Sequence, residues 1–425
     1  MEPLAHHFEH SDDGERAADY AIRAAERAQR RWANAEALAF FQRAVDRLAA
    51  LPETPANLLR RIDAVTKQAE VLFALGRHRE HVAMLESIRP MVERAADPPR
   101  RAIWYYWLGF LQSLTGARPE TAIANCRTAS ELAEAAGLPM IRAYADTGLA
   151  QAYVIAGELR PAIEAGERAL AVFERQGDAW WASRALSQLS PAANYLGEWE
   201  RGLRYCRRAT ELGAALNDLR LKVSGLVRTA STHVHRGDWQ SALRLCDDAL
   251  ALDPTPFDAA AVRAVRGYAL VKSGCAADGI APLREALAFY QRSQLRFTWA
   301  SFSLWLADAE ARRGAWDEMR AIIEPVLRTA VELGYRHVEG VARRLLAEAI
   351  ATHDAAGAAG HLATAETILR AHDARNELGK VWVAQACLRR PLDRGLLEQA
   401  LALFRELGTE DEPARVARLL RDATV

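Results

Sequence analysis

The sequence has 425 residues and a mass of 47.0 kDa, with 55 basic and 55 acidic side chains and therefore no net charge. A hydrophobic share of 50% supports a buried core, whereas the balanced charge argues against a general nucleic-acid or polyanion binder. The sequence contains no apolar run of about 18 residues and no basic start followed by an apolar stretch. We therefore expect no transmembrane helix and no secretory signal, and we predict a cytoplasmic protein.

Residues 1–51 predict an N-terminal helix pair. The segments ERAADYAIRAAERAQRR and NAEALAFFQRAVDRLAAL both have the apolar spacing of amphipathic helices, and Trp32 stands between them. His6, His7 and His10 raise the hypothesis of a metal site, because a spacing of three on a helix brings two side chains together. No cysteine or carboxylate cluster completes such a site. We therefore expect a solvated chain end and no bound metal.

Residues 52–334 carry an internal repeat that is marked by glycines. The spacings between these glycines are 40, 41, 40, 40, 37 and 40 residues, at Gly76, Gly116, Gly157, Gly197, Gly237, Gly274 and Gly314. Helical apolar spacing on both sides of each glycine predicts a pair of helices, and a glycine in the left-handed conformation ends the first helix of the pair.

Small residues recur at fixed distances from the turn glycines. The position seven residues before each glycine always holds Ala, Gly or Ser, and positions five and twelve after it are small in most repeats, as in Ala242 and Ala249. The repeats at Gly76 and Gly314 carry larger residues at these two positions. Antiparallel helices about 8–10 Å apart need small side chains where they cross. The pattern therefore predicts tightly packed helical hairpins.

This pattern resembles the tetratricopeptide repeat (TPR) family. The family shares the small residues at these offsets, a glycine in the turn and a proline after the second helix, such as Pro254 here. The match is best from about Ala102 to Val331. The period near 40 residues exceeds the 34 typical of the family. It is similar to that of the C-terminal arrays of large ATP-dependent (STAND/LuxR-type) regulators and of ATPase-fused cyclases. The segment LAHHFEHSDDGERAADYAIRAAERA resembles the joint before such arrays, which implies a part of a longer protein or a shorter relative.

The resemblance also implies a binding surface. In the family, partners bind the concave face that the first helices form, at positions thirteen, ten, six and three before the turn glycine. The predicted partner-binding residues at these positions are Tyr106, Phe110, Tyr144, Gln151, Arg184, Asn194 and Tyr268. We expect Ile103, Tyr106 and Phe110 to be exposed on this surface. The alternative for the aromatic residues is packing against the neighbouring repeat.

Three cysteines occupy one register of the repeat. Cys206 and Cys246 lie nine residues after their turn glycine, and Cys126 lies ten after its own. Other repeats hold leucine or isoleucine at this position, so we expect these thiols to be buried core residues. No CxxC pair occurs, which argues against a zinc site.

Beyond Gly334 the repeat register weakens. Residues 351–379 still predict a helix pair with a turn at Gly357–Gly360, and residues 380–408 predict another that turns near Pro391. The last segment, EDEPARVARLLRDATV, predicts a polar capping helix, which a solenoid needs to stay soluble.

Together these elements predict an all-α fold, a right-handed, TPR-like α-solenoid of about nine or ten antiparallel helix pairs. We expect three parts. These are a joint-like helix pair at 1–51, superhelical repeats at 52–334, and degenerate repeats with a capping helix at 335–425.

The sequence has no sign of catalytic machinery. It lacks the motifs GxxxxGKS/T, GxSxG, HExxH and GxGxxG, and we expect neither an enzyme nor a cofactor. The favoured hypothesis is a non-catalytic interaction scaffold that binds a protein or peptide segment in the concave groove. The alternative is a ligand-sensing repeat domain of a signalling ATPase, cyclase or transcription-regulator system, with a small-molecule effector. Neither hypothesis includes a nucleic-acid or membrane partner.

Overall fold

A computed structural model of the chain describes residues 14–31, 33–75, 77–389 and 391–422. Within these ranges it contains 22 helices and no strand. The helices of the first half are α1 (Gly14–Arg30), α2 (Asn34–Ala50), α3 (Pro55–Ala74), α4 (His78–Ser87), α5 (Arg89–Ala95), α6 (Pro98–Thr115), α7 (Pro119–Ala135), α8 (Pro139–Ala156), α9 (Leu159–Gln176), α10 (Ala179–Leu196) and α11 (Trp199–Ala215).

The remaining helices alternate between the first and the second helix of each pair. They are α12 (Leu219–Arg236), α13 (Trp239–Ala251), α14 (Pro256–Lys272), α15 (Ala276–Arg292), α16 (Arg296–Arg312), α17 (Trp316–Leu333), α18 (Arg336–Ile350), α19 (Ala355–Ala371), α20 (Arg375–Leu388), α21 (Arg394–Leu407) and α22 (Glu412–Asp422). Within each unit, most helices that follow one another pack together, and the predicted all-α solenoid of TPR-like helix pairs is confirmed.

The chain forms two compact units. The first runs to Thr115 and includes Thr121–Gly148, and the second comprises Gly116–Glu120 and the chain from Leu149 onwards. This division differs from the three parts expected from the sequence, whose boundaries stay a prediction.

The turn glycines adopt the conformation that the repeat predicts. Six of them have positive φ angles between 75° and 102°, at Gly116, Gly157, Gly197, Gly237, Gly274 and Gly314. Gly76 and Trp32 lie outside the described residues, as do His6, His7 and His10.

Small residues lie where the paired helices cross. At the crossing between α14 and α15, a Cβ on Gly267 would lie 2.6 Å from the carbonyl oxygen of Gly279. Cys126, Cys206 and Cys246 are all buried, as predicted. The repeat register therefore predicts the core of each hairpin correctly.

Three predicted details near the C-terminal end have different outcomes. The expected turn at Gly357–Gly360 is wrong, because both glycines lie inside α19. The Asp354 carboxylate accepts from the Gly357 N–H at 2.8 Å and caps the helix start instead. The turn near Pro391 is confirmed between α20 and α21, and the final helix is present as α22.

In the second unit, the first helices of successive pairs also pack against one another. This series, which we call the inner layer, consists of α10, α12, α14, α16, α18 and α20. None of the described helices is both long and apolar enough to cross a membrane.

Candidate functional site

A row of large side chains lies two residues before four of the turn glycines of the second unit. The row consists of Tyr195, His235, Lys272 and Arg312. Each belongs to the last turn of a first helix, in α10, α12, α14 and α16 respectively. Because these helices pack side by side, the row crosses the inner layer.

Aromatic rings connect this row into a ladder. Tyr268 and Trp305 stack with their centroids 4.9 Å apart and their planes 7° apart. The His235 ring contacts Trp305 and Tyr195 edge-on, at 5.8 Å in both cases. Tyr195 in turn stacks on His337 of α18, with centroids 3.9 Å and planes 17° apart. We call the surface formed by these rings and two neighbouring charges the inner face: Tyr195, His235, Tyr268, Lys272, Trp305, Asp308 and His337.

Helices that are distant in sequence close over the inner face. Within the second unit, α10 packs against α20. A Cβ on Gly157 would lie 3.2 Å from the backbone nitrogen of His337, and one on Gly197 would lie 3.2 Å from the Leu407 side chain. Tyr195, His235 and Trp305 are partly exposed, whereas Tyr268 and His337 are only 8% and 5% exposed.

A cluster of buried charges lies on the helices that close the inner face. The Glu377 carboxylate pairs with Lys380 Nζ at 2.6 Å and with the Arg344 guanidinium at 3.3 Å. Burial disfavours the charged form of Glu377, but Lys380 and Arg344 outweigh it and lower the pKa of this carboxyl to about 2. Glu377 is therefore ionised at neutral pH.

Asp308 is held by three groups of the inner layer. The Tyr268 hydroxyl donates to Asp308 Oδ2 at 2.7 Å, and Arg312 Nε donates to the same oxygen at 2.9 Å. Burial opposes its ionisation, but the charges of Lys272 and Arg312 prevail and hold the pKa of Asp308 below its usual range. Burial and the neighbouring Asp308 raise the pKa of Tyr268, so its hydroxyl keeps its proton and remains a donor.

The two histidines of the inner face are uncharged at neutral pH. Burial is the main cause and lowers the pKa of His235 to about 3 and that of His337 to about 4. Nδ1 of His337 is buried and has no hydrogen-bond partner among the described residues. Both rings therefore act as neutral surfaces, and His337 retains an unused polar atom.

The sequence-predicted binding residues in the first unit lie in a packed cluster. Tyr106 stacks on Phe110 and on Tyr144, with centroids 5.8 Å apart in both cases. Only 2% of Tyr106 and 4% of Phe110 is exposed. The expectation that these two rings form an exposed binding surface is wrong, because they fill the space between neighbouring first helices. Ile103 is partly buried.

The other predicted binding residues belong to the second unit. Gln151 and Asn194 are buried, and Asn194 Oδ1 would lie 2.8 Å from a Cβ on Gly202, at a helix crossing. Arg184 is partly buried, with its guanidinium 5.6 Å from the centre of the Trp180 ring. Tyr268 is the predicted residue that the structure places in the ladder.

The sequence contained a signal for the residues that the prediction missed. Two residues before the turn glycine, the early repeats hold Leu114 and Ile155, whereas the later ones hold Tyr195, His235 and Lys272. A change from apolar to large polar side chains at one register position indicates a changed environment. The position two before the glycine therefore contributes to the inner face, together with Tyr268 and Asp308, which lie six before their glycines.

Two surface cavities of the second unit lie away from the inner face. One of about 350 Å³ is lined by residues that include Pro256, Phe289 and Arg292, and another of about 440 Å³ by residues that include Leu327 and Arg343. In the described part of the chain, no three His, Cys, Asp or Glu side chains are grouped so that they could hold a metal ion.

Comparison of the sequence with known proteins gives no match: neither a protein-family model nor a curated protein matches this chain. Solved structures are similar in fold. The structure of NprR in complex with its cognate peptide NprX has a TM-score of 0.63 and 13% identity, and the similarity covers 84% of this chain and 100% of that one. At this identity, the similarity shows a common TPR-like helical fold and confirms the resemblance at that level.

Two further structures are similar over most of this chain. A Rap protein complexed with competence and sporulation factor has a TM-score of 0.49 and 13% identity, with 97% of this chain and 98% of that chain covered. A signal transduction ATPase of the STAND class with a tetratricopeptide repeat sensor, from Pyrococcus horikoshii, has a TM-score of 0.44 and 18% identity, with 90% and 54% covered.

Proposed function

We propose that this chain is a non-catalytic scaffold that binds an extended segment of a protein or peptide partner at the inner face of the second unit. The proposal retains Tyr268 from the predicted binding residues. It replaces the buried Tyr106 and Phe110 with Tyr195, His235 and Trp305. A cytoplasmic location and the lack of nucleic-acid or membrane partners stay predictions from the sequence alone.

The observation that carries the proposal is the continuous ladder of rings beside paired charges. Aromatic side chains supply large apolar contact areas at little cost in conformational entropy, and they dominate the binding energy of many interfaces. The adjacent Asp308 carboxylate provides an acceptor for the polar groups of a peptide. A surface of this composition fits a mixed apolar and polar segment better than a uniformly charged polymer.

The related fold supports the same kind of partner. NprR, which shares the helical repeat architecture, is found in complex with its cognate peptide NprX. Whether this chain binds a peptide is decided by its own inner face, because a shared fold does not transfer a function.

The test is a selection of random peptides displayed on phage against the full chain. We expect enriched peptides that bind in solution with micromolar affinity, measured by fluorescence anisotropy. Trp305→Leu should weaken them about tenfold or more, because it removes a ring that stacks on Tyr268.

Trp316→Leu provides a matched control. It is the same substitution in the same unit, but Trp316 is exposed and lies outside the inner face, so affinity should not change. Circular dichroism shows whether each variant is folded. Equal affinity of all three proteins, or no enriched peptide, would contradict the proposal.

The ligand-sensing alternative differs in its expected result. A small-molecule effector that binds the second unit should raise the unfolding temperature of the chain in a metabolite screen, by an amount that grows with the logarithm of its concentration over Kd. Stabilisation by a metabolite that persists in Trp305→Leu would favour that alternative, because the effector would then bind away from the ladder.

A further inference from the structure

The loop between α21 and α22 lies against the ends of two inner-layer helices of the same unit. The Glu410 N–H donates to the Arg236 carbonyl oxygen at 2.7 Å. The side chains of the same two residues form an ion pair at 2.8 Å. A second acid, Glu200, lies 3.2 Å from the Arg236 guanidinium and holds it in place. Glu410 is therefore recognised through both its backbone and its side chain.

The next residue of the loop is recognised by a lysine on the neighbouring helix. Asp411 pairs with Lys272 Nζ at 2.8 Å, and the two side chains are only 12% and 6% exposed. The same ammonium lies 5.6 Å from the centre of the Trp239 ring and 5.9 Å from that of Tyr268. Two aromatic rings and one carboxylate thus surround a single cation.

Gly237 allows the loop to approach this closely. Its φ angle is 102°, in the left-handed region. A Cβ at this position would lie 2.7 Å from the backbone nitrogen of Asp411, nearer than non-bonded atoms can come. The turn glycine therefore has a second role here, since it leaves room for the backbone of an extended segment.

These contacts have the features of a peptide-binding site. A backbone hydrogen bond fixes the direction of the segment, two basic side chains select consecutive acids, and the glycine admits the backbone. We infer that Arg236, Gly237 and Lys272 form a binding site for an extended acidic segment of a partner protein. Glu410 and Asp411 of this chain occupy this acidic-segment site in the absence of that partner.

The burial of Lys272 favours exchange of one acidic segment for another. Leaving a buried cation without its paired carboxylate is costly even with Asp308 nearby, so the site is more stable when an acid covers it. A partner that supplies the same pair of acids meets this requirement as it displaces the loop. Because the loop is tethered, it competes at a high effective concentration, and weak partners are excluded. The two proposals share Lys272 and Tyr268, but the acidic segment is recognised through Arg236, Gly237 and Lys272 and not through the ladder of rings.

The experiment uses the full chain and a fluorescent peptide of residues 405–414, RELGTEDEPA. The variant Glu410→Gln/Asp411→Asn weakens the internal competitor, and we expect it to bind the peptide at least about tenfold more tightly than the unaltered chain. Adding Lys272→Met to that variant should abolish the gain. A control peptide, RELGTQNQPA, should not bind to any of the three proteins.

A second measurement does not depend on substitutions. Excess RELGTEDEPA added to the unaltered chain should accelerate hydrogen exchange at residues 405–412, because the peptide displaces the loop. If the Glu410→Gln/Asp411→Asn variant is folded by circular dichroism but binds no more tightly than the unaltered chain, the inference is overturned. It is also overturned if the unaltered chain dimerises at concentrations at which that variant is monomeric, since the occupant would then be a second copy.

Discussion

The two units bury different kinds of side chain, although the same helical repeat builds both. In the first unit, the largest buried side chains include Trp104 and Tyr106. The Trp104 indole N–H donates to the Leu85 carbonyl oxygen at 2.9 Å, which satisfies its polar atom. An ion pair of this unit, Lys67 with Glu26, is partly exposed to solvent. The first unit is thus stabilised mainly by apolar packing.

The second unit buries ion pairs as well. Lys272 with Asp411 and Arg344 with Glu377 are nearly inaccessible to solvent. Moving such charges out of water costs more than apolar packing of the same volume, so they do not serve stability alone. The buried ion pairs therefore make the inner layer of the second unit less stable than apolar packing would. Such a loss of stability is expected at a site that recognises a partner.

Lowering the pH should cause the largest loss of folding stability. Lowered histidine pKa values occur in both units, at His78 and His81 in the first and at His235, His337, His361 and His372 in the second. In the unfolded chain these groups titrate near 6.5. Below pH 6.5 the unfolded state therefore binds more protons than the folded state. The free energy of unfolding decreases as the pH is lowered, until the pH reaches the pKa of each histidine in the folded state.

For the three most shifted groups, His81, His235 and His337, this loss is about 2 kcal/mol each between pH 7 and pH 5. The carboxylates with lowered pKa values contribute only below about pH 4.5. Because more of these histidines lie in the second unit, protection against hydrogen exchange, taken relative to the intrinsic exchange rate at each pH, should fall more there than in the first between pH 7 and pH 5. An equal fall in both units would remove the electrostatic distinction between them.

A matched pair of substitutions compares the ion pairs of the two units. Glu377→Gln leaves Lys380 and Arg344 buried without their carboxylate, and it should lower the free energy of unfolding by about 3 kcal/mol. Glu26→Gln makes the same change at an exposed pair of the first unit and should cost less than about 1 kcal/mol. Urea unfolding followed by circular dichroism measures both. Similar costs would show that the Glu377 cluster is no more buried in solution than the Lys67–Glu26 pair.

The sequence alone predicts the parts of this fold that depend on neighbouring repeats. The period of the turn glycines and the small residues at fixed offsets locate each hairpin, its crossing point and its buried cysteines. All of these are determined within one repeat or between adjacent repeats, where local register decides the packing. The turn misplaced at Gly357–Gly360 shows the limit of that approach, because Asp354 supplied a stronger helix-start signal than the glycines supplied for a turn.

The candidate site depends on contacts that the period does not encode. His337 meets Tyr195, and Asp411 meets Lys272, across several repeats. Such contacts follow from small rotations between repeats that accumulate along the solenoid, and a single sequence does not specify these rotations. The prediction therefore found Tyr268 by register but missed its partners. It also assigned Tyr106 to a surface that the neighbouring repeat covers.

The smallest expected effect separates two costs of replacing a turn glycine of the second unit. One is backbone strain at a positive φ angle, and the other is the close approach of the loop to the added Cβ. Gly237 and Gly274 both end inner-layer helices of the second unit, with φ angles of 102° and 99°. Alanine at either position should cost about 1–2 kcal/mol, because residues with a Cβ disfavour this conformation. At Gly274 nothing lies within 4 Å of the added Cβ, whereas at Gly237 the backbone of Asp411 lies 2.7 Å away.

Gly237→Ala should therefore lower the free energy of unfolding by about 1 kcal/mol more than Gly274→Ala does, since the loop at residues 409–412 has to move. Urea unfolding measures both values. The additional cost should disappear in the Glu410→Gln/Asp411→Asn background, where the loop is held less firmly. An additional cost of the same size in that background would place its origin in the helix end and not in the loop. The second unit would then lose one of the long-range contacts that distinguish it from the first.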